Sequence, residues 1–142
     1  MGRVIAIDYG LKRTGIAVSD SEAVIAFPLE TVNSGELIIY LKKYSAKEKV
    51  DCVVVGMPRQ ENGNNSTIAN DVRKFIAELK KNIPDIEVKE EDERYTSVLA
   101  QRALIDSGVK KMQRRDKSLV DITSATILLQ SYLERQSLKK RL

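Results

Sequence analysis

Histidine and tryptophan are absent from the 142 residues, and cysteine occurs once. The missing histidine excludes His-based catalytic triads, histidine general bases and histidine-ligated zinc sites. An enzyme with this sequence would therefore depend on carboxylates, lysine, tyrosine, hydroxyl groups or bound metal ions. The single cysteine, Cys52, excludes an intramolecular disulfide, and its place in the apolar run VDCVVVG indicates a buried structural thiol.

Long hydrophobic runs are also missing. No stretch approaches the roughly 18 apolar residues that a membrane-spanning helix needs, and the first residues lack the pattern of a signal peptide. We therefore expect no membrane association and a cytoplasmic location. Apolar residues make up 42% of the chain and charged residues 31%, and the length suits one domain, which we expect to span residues 1–142.

Positive charge is concentrated towards the end of the chain. Residues 110–142 contain nine lysines and arginines, among them Arg114 and Arg115, against three acids, in a chain of net charge +4. Such a cluster suits a polyanionic partner such as nucleic acid, and it equally suits a solvated helix face.

Alternating apolar patterns predict an α/β fold in the order βββαβαβαα. The predicted strands cover 3–8, 14–19, 23–32, 50–56 and 86–92, and the predicted helices cover 35–49, 67–82, 96–107 and 117–136. Short connections between the first three strands favour an antiparallel meander, with Pro28 at a sheet edge. Helices after the fourth and fifth strands imply right-handed crossovers that cover both faces of the sheet.

Acids stand at three places where an apolar core would not put them. Asp8 ends an apolar strand, where it can accept hydrogen bonds in a turn or hold a cation. Asp92 and Glu93 end a predicted strand, where α/β proteins bind ligands, although a charged loop before a helix has the same pattern. Asp121 shares a helix face with apolar residues and is expected to point to the core or a cleft, the alternative being a helix-dipole interaction.

Together these acids predict a metal site. Buried carboxylates without histidine need a compensating cation, and oxygen ligands suit Mg²⁺ or Mn²⁺. Two such ions about 4 Å apart stabilise the attacking and leaving oxygens in phosphodiester hydrolysis. The residues themselves leave the choice between Asp92 and Glu93 open.

Basic side chains follow these acids in the sequence. Lys12 and Arg13 come after the first acid, Arg94 comes after the second acidic pair, and Arg59 lies in a polar loop over 57–66. They are able to bind the phosphates of a nucleic acid. An ordinary surface turn rich in glycine and asparagine explains the loop over 57–66 equally well.

Four segments, which span nearly the whole chain in order, resemble the motifs of the YqgF/RuvX family. They are IDYGLKRTGIAVSD (7–20), VVVGMPRQENG (53–63), EDERYTSVLAQRAL (91–104) and VDITSATILLQSYL (120–133). Members of this family are described as pre-16S rRNA nucleases and as Holliday junction resolvases. The resemblance implies an RNase H-like fold, with a five-stranded mixed sheet whose first three strands are antiparallel and helices on both faces.

The resemblance also implies the identity of the site residues. The family has an acid on the first strand, an acid in the DER motif and an acid on the last helix, which correspond to Asp8, Glu93 and Asp121. It therefore favours Glu93 over Asp92. Further motif positions are matched by Arg13, Gly15 and Arg94.

The sequence departs from the family pattern in two regions. Arg59 takes the place of a hydrophobic residue after the GMP-type turn. The residues after Asp121 also differ, and Ser124 stands where related resolvases often carry a second acid on the helix. With three carboxylates we expect two Mg²⁺ or Mn²⁺ ions, the second bound weakly or only with substrate.

The resemblance implies a metal-dependent endonuclease that acts on structured nucleic acid, with the 5′ end of pre-16S rRNA as the favoured substrate. A Holliday junction resolvase acting on branched DNA is one alternative, because cation contacts to a backbone do not distinguish the two sugars. Another is a non-catalytic ribosome-assembly factor that binds nucleic acid or ribosomal particles. The sequence leaves monomer and homodimer open.

Overall fold

The computed structural model of the protein describes residues 2–57, 67–92 and 117–141, so the helix predicted over 96–107 lies outside the described residues. In the described part of the chain there are five β-strands and three α-helices. The strands are β1 (Arg3–Asp8), β2 (Arg13–Ser19), β3 (Ala26–Asn33), β4 (Val50–Met57) and β5 (Glu87–Asp92). The helices are α1 (Leu37–Lys47), α2 (Thr67–Asn82) and α3 (Lys117–Arg141), and a 3₁₀ turn (Ser34–Glu36) precedes α1.

One mixed sheet contains the five strands in the order β3-β2-β1-β4-β5. β2 pairs antiparallel with both β1 and β3, whereas β4 pairs parallel with both β1 and β5. The predicted antiparallel meander and the parallel fourth strand are confirmed. Pro28 lies on the edge strand β3, where a missing backbone N–H disturbs the ladder least.

Alternating side chains divide the core between the two faces of the sheet. Ile5 and Ile7 of β1 pack among the apolar side chains of α1 and α2. Val4 and Ala6 of the same strand pack against α3. Helices therefore cover both faces, as predicted, and the residues of β1 from Val4 onwards alternate between the two faces.

The loop between β2 and β3 shows where the prediction of a strand over 23–32 is wrong. Asp20 Oδ1 accepts hydrogen bonds from the backbone N–H groups of Val24 (2.7 Å) and Ile25 (2.9 Å). These hydrogen bonds lower the pKa of Asp20. Ala23 takes up a left-handed conformation with φ of 58°, which interrupts extended backbone, so the strand begins only at Ala26.

The helix α3 extends to Arg141, beyond the predicted end at residue 136, because residues 137–141 contain no glycine or proline to stop it. Two contacts join it to β5. Arg135 Nη2 lies 2.7 Å from Glu91 Oε2. Lys89 Nζ donates a hydrogen bond of 3.1 Å to the hydroxyl of Tyr132, and this hydrogen bond raises the pKa of Lys89.

Among the helices described, none combines the length and apolar character needed to cross a membrane.

Candidate metal and nucleic-acid site

Asp8 and the backbone of Asp121 both lie against Gly15, at the carboxyl end of β1. Asp8 is the last residue of β1, and its cross-strand partner on β2 is Gly15. The helix α3 crosses Gly15 so closely that a Cβ atom at this position would overlap the carbonyl group of Asp121. The missing side chain therefore lets the helix backbone rest on β2, next to the acid on β1.

Both acids belong to the face of the sheet that α3 covers. Asp8 continues the alternation of Val4 and Ala6, which pack against this helix. Asp121 lies one turn before Ala125, a fully buried residue of the same cluster. Both aspartates are partly exposed, so their side chains lie at the rim of this core.

Arg13, which the sequence predicts to bind phosphate, lies next to Asp121. Its Nε is 3.6 Å from Asp121 Oδ2. This distance exceeds the roughly 2.7–2.9 Å of a charge-assisted hydrogen bond, so the contact is a loose ion pair. The side chains of Arg13 and Asp121 are 43% and 28% exposed, and the guanidinium thus remains accessible from solvent.

The turn between β1 and β2 carries the exposed Lys12, and Ser34 holds this turn in place. Ser34 Oγ donates a hydrogen bond of 2.5 Å to the carbonyl of Gly10 and lies 2.8 Å from the hydroxyl of Thr14. The backbone N–H of Ser34 donates to the carbonyl of Lys12 at 3.0 Å. No local pattern predicts this role, because Ser34 contacts residues twenty or more positions away and its own surroundings indicate only a helix start.

Replacing Ser34 with alanine is expected to lower the free energy of unfolding by about 1–2 kcal/mol, because the Gly10 carbonyl and the Thr14 hydroxyl lose a partner. Urea denaturation measures the change. The control is Ser45→Ala, which removes one exposed hydrogen bond within α1 and should change stability by less than about 0.5 kcal/mol. Equal losses in the two variants would show that Ser34 does not anchor the turn.

Five of the predicted site residues lie outside the described residues, namely Glu93, Arg59, Arg94, Arg114 and Arg115.

The end of β5 nevertheless bears on the choice between Asp92 and Glu93. Val88 packs with the cluster under α1 and α2, whereas Glu91 pairs with Arg135 of α3. By this alternation Asp92 lies on the face away from α3. Its position argues against Asp92 as a ligand beside Asp8 and Asp121.

The donors present fit a hard divalent cation. Asp8 and Asp121 offer carboxylate oxygens, the ligands that Mg²⁺ and Mn²⁺ prefer. One turn after Asp121, the Ser124 hydroxyl is buried and has no hydrogen-bond partner among the residues described, which leaves one more oxygen at this end of α3. Within the described ranges no group of three or more acidic or cysteine side chains is close enough to hold a metal ion. A third carboxylate would have to come from another part of the chain, and Glu93 directly follows β5.

The strand order, the pairing directions and the helix across the antiparallel half of the sheet define an RNase H-like α/β protein. A solved structure of T. thermophilus RuvC in complex with a Holliday junction substrate has the same fold, with a TM-score of 0.60 over 96% of each chain at 16% identity. A second structure of Thermus thermophilus RuvC matches with a TM-score of 0.55 at 15% identity, over 95% of this chain and 96% of that chain. At such low identity the similarity shows the fold alone.

The family described as "RuvX: Holliday junction resolvase" matches residues 2–135. A relative from Parabacteroides distasonis is 52% identical over 134 residues, which cover 94% of this chain and 96% of the relative. A relative from Bacteroides fragilis is 48% identical over 138 residues, which cover 97% of this chain and all of the relative. Both relatives are described as "Putative pre-16S rRNA nuclease". The chain belongs to the RuvX family, which confirms the resemblance seen in its motifs.

Proposed function

We propose that this protein is a metal-dependent endonuclease that hydrolyses phosphodiester bonds in structured RNA and processes the 5′ end of pre-16S rRNA. The observation that supports this most is the approach of Asp8 and Asp121 across Gly15, at one end of an RNase H-like sheet. The description of the similar proteins from Parabacteroides distasonis and Bacteroides fragilis favours precursor rRNA over a DNA junction.

In this proposal Asp8, Glu93 and Asp121 hold Mg²⁺ or Mn²⁺, one ion firmly and a second weakly or only with substrate. When bound, these ions supply an activated water at neutral pH and a counter-charge for the phosphodiester. The pairing of β1 with β2 and the contact of α3 with Gly15 hold the backbone of Asp121 beside the strand end that carries Asp8, which supports a shared site. Less reorganisation is then needed when the metal binds.

Basic side chains hold the substrate in the same proposal. Arg13 lies beside Asp121, and Lys12 precedes it in the turn after β1. In the proposal both contact the phosphates nearest the cleaved bond. The remaining phosphate contacts come from Arg59, Arg94, Arg114 and Arg115. We place this reaction in the cytoplasm, on precursor rRNA or ribosomal particles, with the protein acting as a monomer or a homodimer.

Cleavage of two substrates side by side tests the proposal. The wild-type protein is incubated with a 5′ fragment of pre-16S rRNA and with a four-way DNA junction, in Mg²⁺, in Mn²⁺ and in EDTA. We expect metal-dependent cleavage of the RNA at least about tenfold faster than that of the junction, and none in EDTA. Faster cleavage of the junction would instead identify a Holliday junction resolvase.

A non-catalytic assembly factor is the second candidate, and the ion pair between Arg13 and Asp121 favours it. A guanidinium already lies beside Asp121, so this acid has a counter-charge without any metal ion. If the purified protein binds the rRNA fragment but cleaves neither substrate in Mg²⁺ or Mn²⁺, this candidate replaces the nuclease.

A further inference from the structure

We propose that Arg13 links metal binding to nucleic-acid binding. In the metal-free protein its guanidinium pairs with Asp121, and a divalent cation that binds Asp121 releases it to a phosphate of the nucleic acid. The inference rests on the proposed function, because it takes Asp121 as a metal ligand. It adds a specific role for one arginine of the site and a measurable consequence for affinity.

Arg13 lies close enough to Asp121 to interfere with a metal ion there. Arg13 Nε lies 3.6 Å from Asp121 Oδ2, whereas Mg²⁺ binds a carboxylate oxygen at about 2.0–2.1 Å. A divalent ion at that oxygen would repel a guanidinium this close, because both are cations. Metal and Arg13 therefore compete for the same carboxylate.

A comparison with a second ion pair of α3 shows that the contact is easily broken. Arg135 lies 2.7 Å from Glu91, whose side chain is only 17% exposed. The pair at the site is longer, and its carboxylate is more exposed, at 28%, whereas the two arginines are exposed to a similar extent, 43% for Arg13 and 50% for Arg135. Breaking a loose, solvent-accessible ion pair changes an equilibrium by about fivefold at most, so a divalent cation is able to displace the guanidinium.

Once released from Asp121, the Arg13 side chain is able to bind a phosphate. Arg13 begins β2 directly after Lys12, in a turn that Ser34 ties to the start of α1, so the backbone stays in place while the side chain moves. A guanidinium is suited to bind two phosphate oxygens at once. By thermodynamic linkage, metal then strengthens nucleic-acid binding and nucleic acid strengthens metal binding by the same factor.

The first measurement is the affinity for Mn²⁺ in the absence of nucleic acid. The electron paramagnetic resonance signal of free Mn²⁺ reports how much of the ion remains unbound. Arg13→Gln and Lys12→Gln each remove one positive charge from the same turn, but Asp121 has an ion pair only with the first of these two residues in the described structure. We expect Arg13→Gln to bind Mn²⁺ about two- to fivefold more tightly than Lys12→Gln does. Equal Mn²⁺ affinities in the two variants would overturn the inference.

The second measurement is the affinity for a fluorescent RNA duplex, by anisotropy in EDTA and in Mn²⁺, with a gel to verify that the duplex stays intact. Adding Mn²⁺ should increase the RNA affinity of wild type. This fold-increase should be two- to fivefold smaller in Arg13→Gln, which is about the same factor as the difference in Mn²⁺ affinity in the first measurement. Lys12→Gln should bind more weakly throughout but keep the wild-type gain. An undiminished gain in Arg13→Gln contradicts the inference.

Failure of the inference and failure of the proposed function can be told apart. Asp121→Asn should weaken Mn²⁺ binding in the same assay if the site holds metal at all. Unchanged Mn²⁺ affinity in Asp121→Asn removes the metal site and the inference with it. Weaker binding in Asp121→Asn together with equal affinities in Arg13→Gln and Lys12→Gln removes only the inference.

Discussion

The variant Asp8→Asn is expected to cleave the rRNA fragment about a thousandfold more slowly than wild type, with little change in RNA affinity measured in EDTA. Asparagine keeps the size of the side chain and one neutral oxygen, but it lacks the charge that holds a divalent cation. Because Asp8 ends β1 at the rim of the core, the change should leave folding almost intact. Single-turnover cleavage in Mg²⁺ and in Mn²⁺ gives the rate.

The matched control for this experiment is Asp85→Asn. Asp85 is an exposed acid that precedes β5, and it therefore lies at the opposite end of the parallel strands from Asp8. We expect cleavage within about twofold of wild type in this control. A cleavage rate in Asp8→Asn equal to that of Asp85→Asn would remove Asp8 from the site, provided that thermal melting shows both variants folded.

The second large effect is expected for Gly15→Ala, which should lower the free energy of unfolding by about 3 kcal/mol and abolish most cleavage. The added Cβ would overlap the carbonyl group of Asp121, which belongs to the helix backbone and cannot rotate away. The helix α3 must then move off β2 and take Asp121 away from Asp8. Urea denaturation and the rRNA cleavage assay measure the two consequences separately.

Gly35→Ala is the matched control for a glycine without such a neighbour. A Cβ at Gly35 would meet only the side-chain oxygen of Asn33, at 3.3 Å, and Gly35 itself is exposed. We expect its stability to stay within about 1 kcal/mol of wild type and its cleavage to be unchanged. If Gly15→Ala behaves like Gly35→Ala, the close approach of α3 to β2 does not govern the site.

The strands and helices of the described ranges could be predicted because their signals are local. A β-branched run such as VDCVVVG and the helical apolar spacing of α2 need no knowledge of the rest of the chain. The start of β3 could not be predicted, since it depends on Asp20 binding two backbone N–H groups and on the left-handed Ala23. Both are features of loop geometry rather than of hydrophobic pattern.

The site could be predicted only in part, for a similar reason. Asp8 and Asp121 could be recognised as acids in apolar surroundings, but their approach depends on a strand register that places Gly15 opposite Asp8. The pairing of Arg13 with Asp121 joins residues more than a hundred positions apart, so no local pattern indicates it. The family resemblance predicts which acids matter, and the structure shows how the backbone of Asp121 comes to lie beside the strand end that carries Asp8.

The contact of α3 with Gly15 has a consequence for the protein during its own synthesis. All five strands and the helices α1 and α2 leave the ribosome before residue 117, the first residue of α3. Until then one face of the sheet, with Val4 and Ala6, lacks its apolar cover, and Asp121 has not yet been added. A nascent chain shorter than 121 residues therefore lacks both the helix that covers this face and one of the two acids that lie against Gly15.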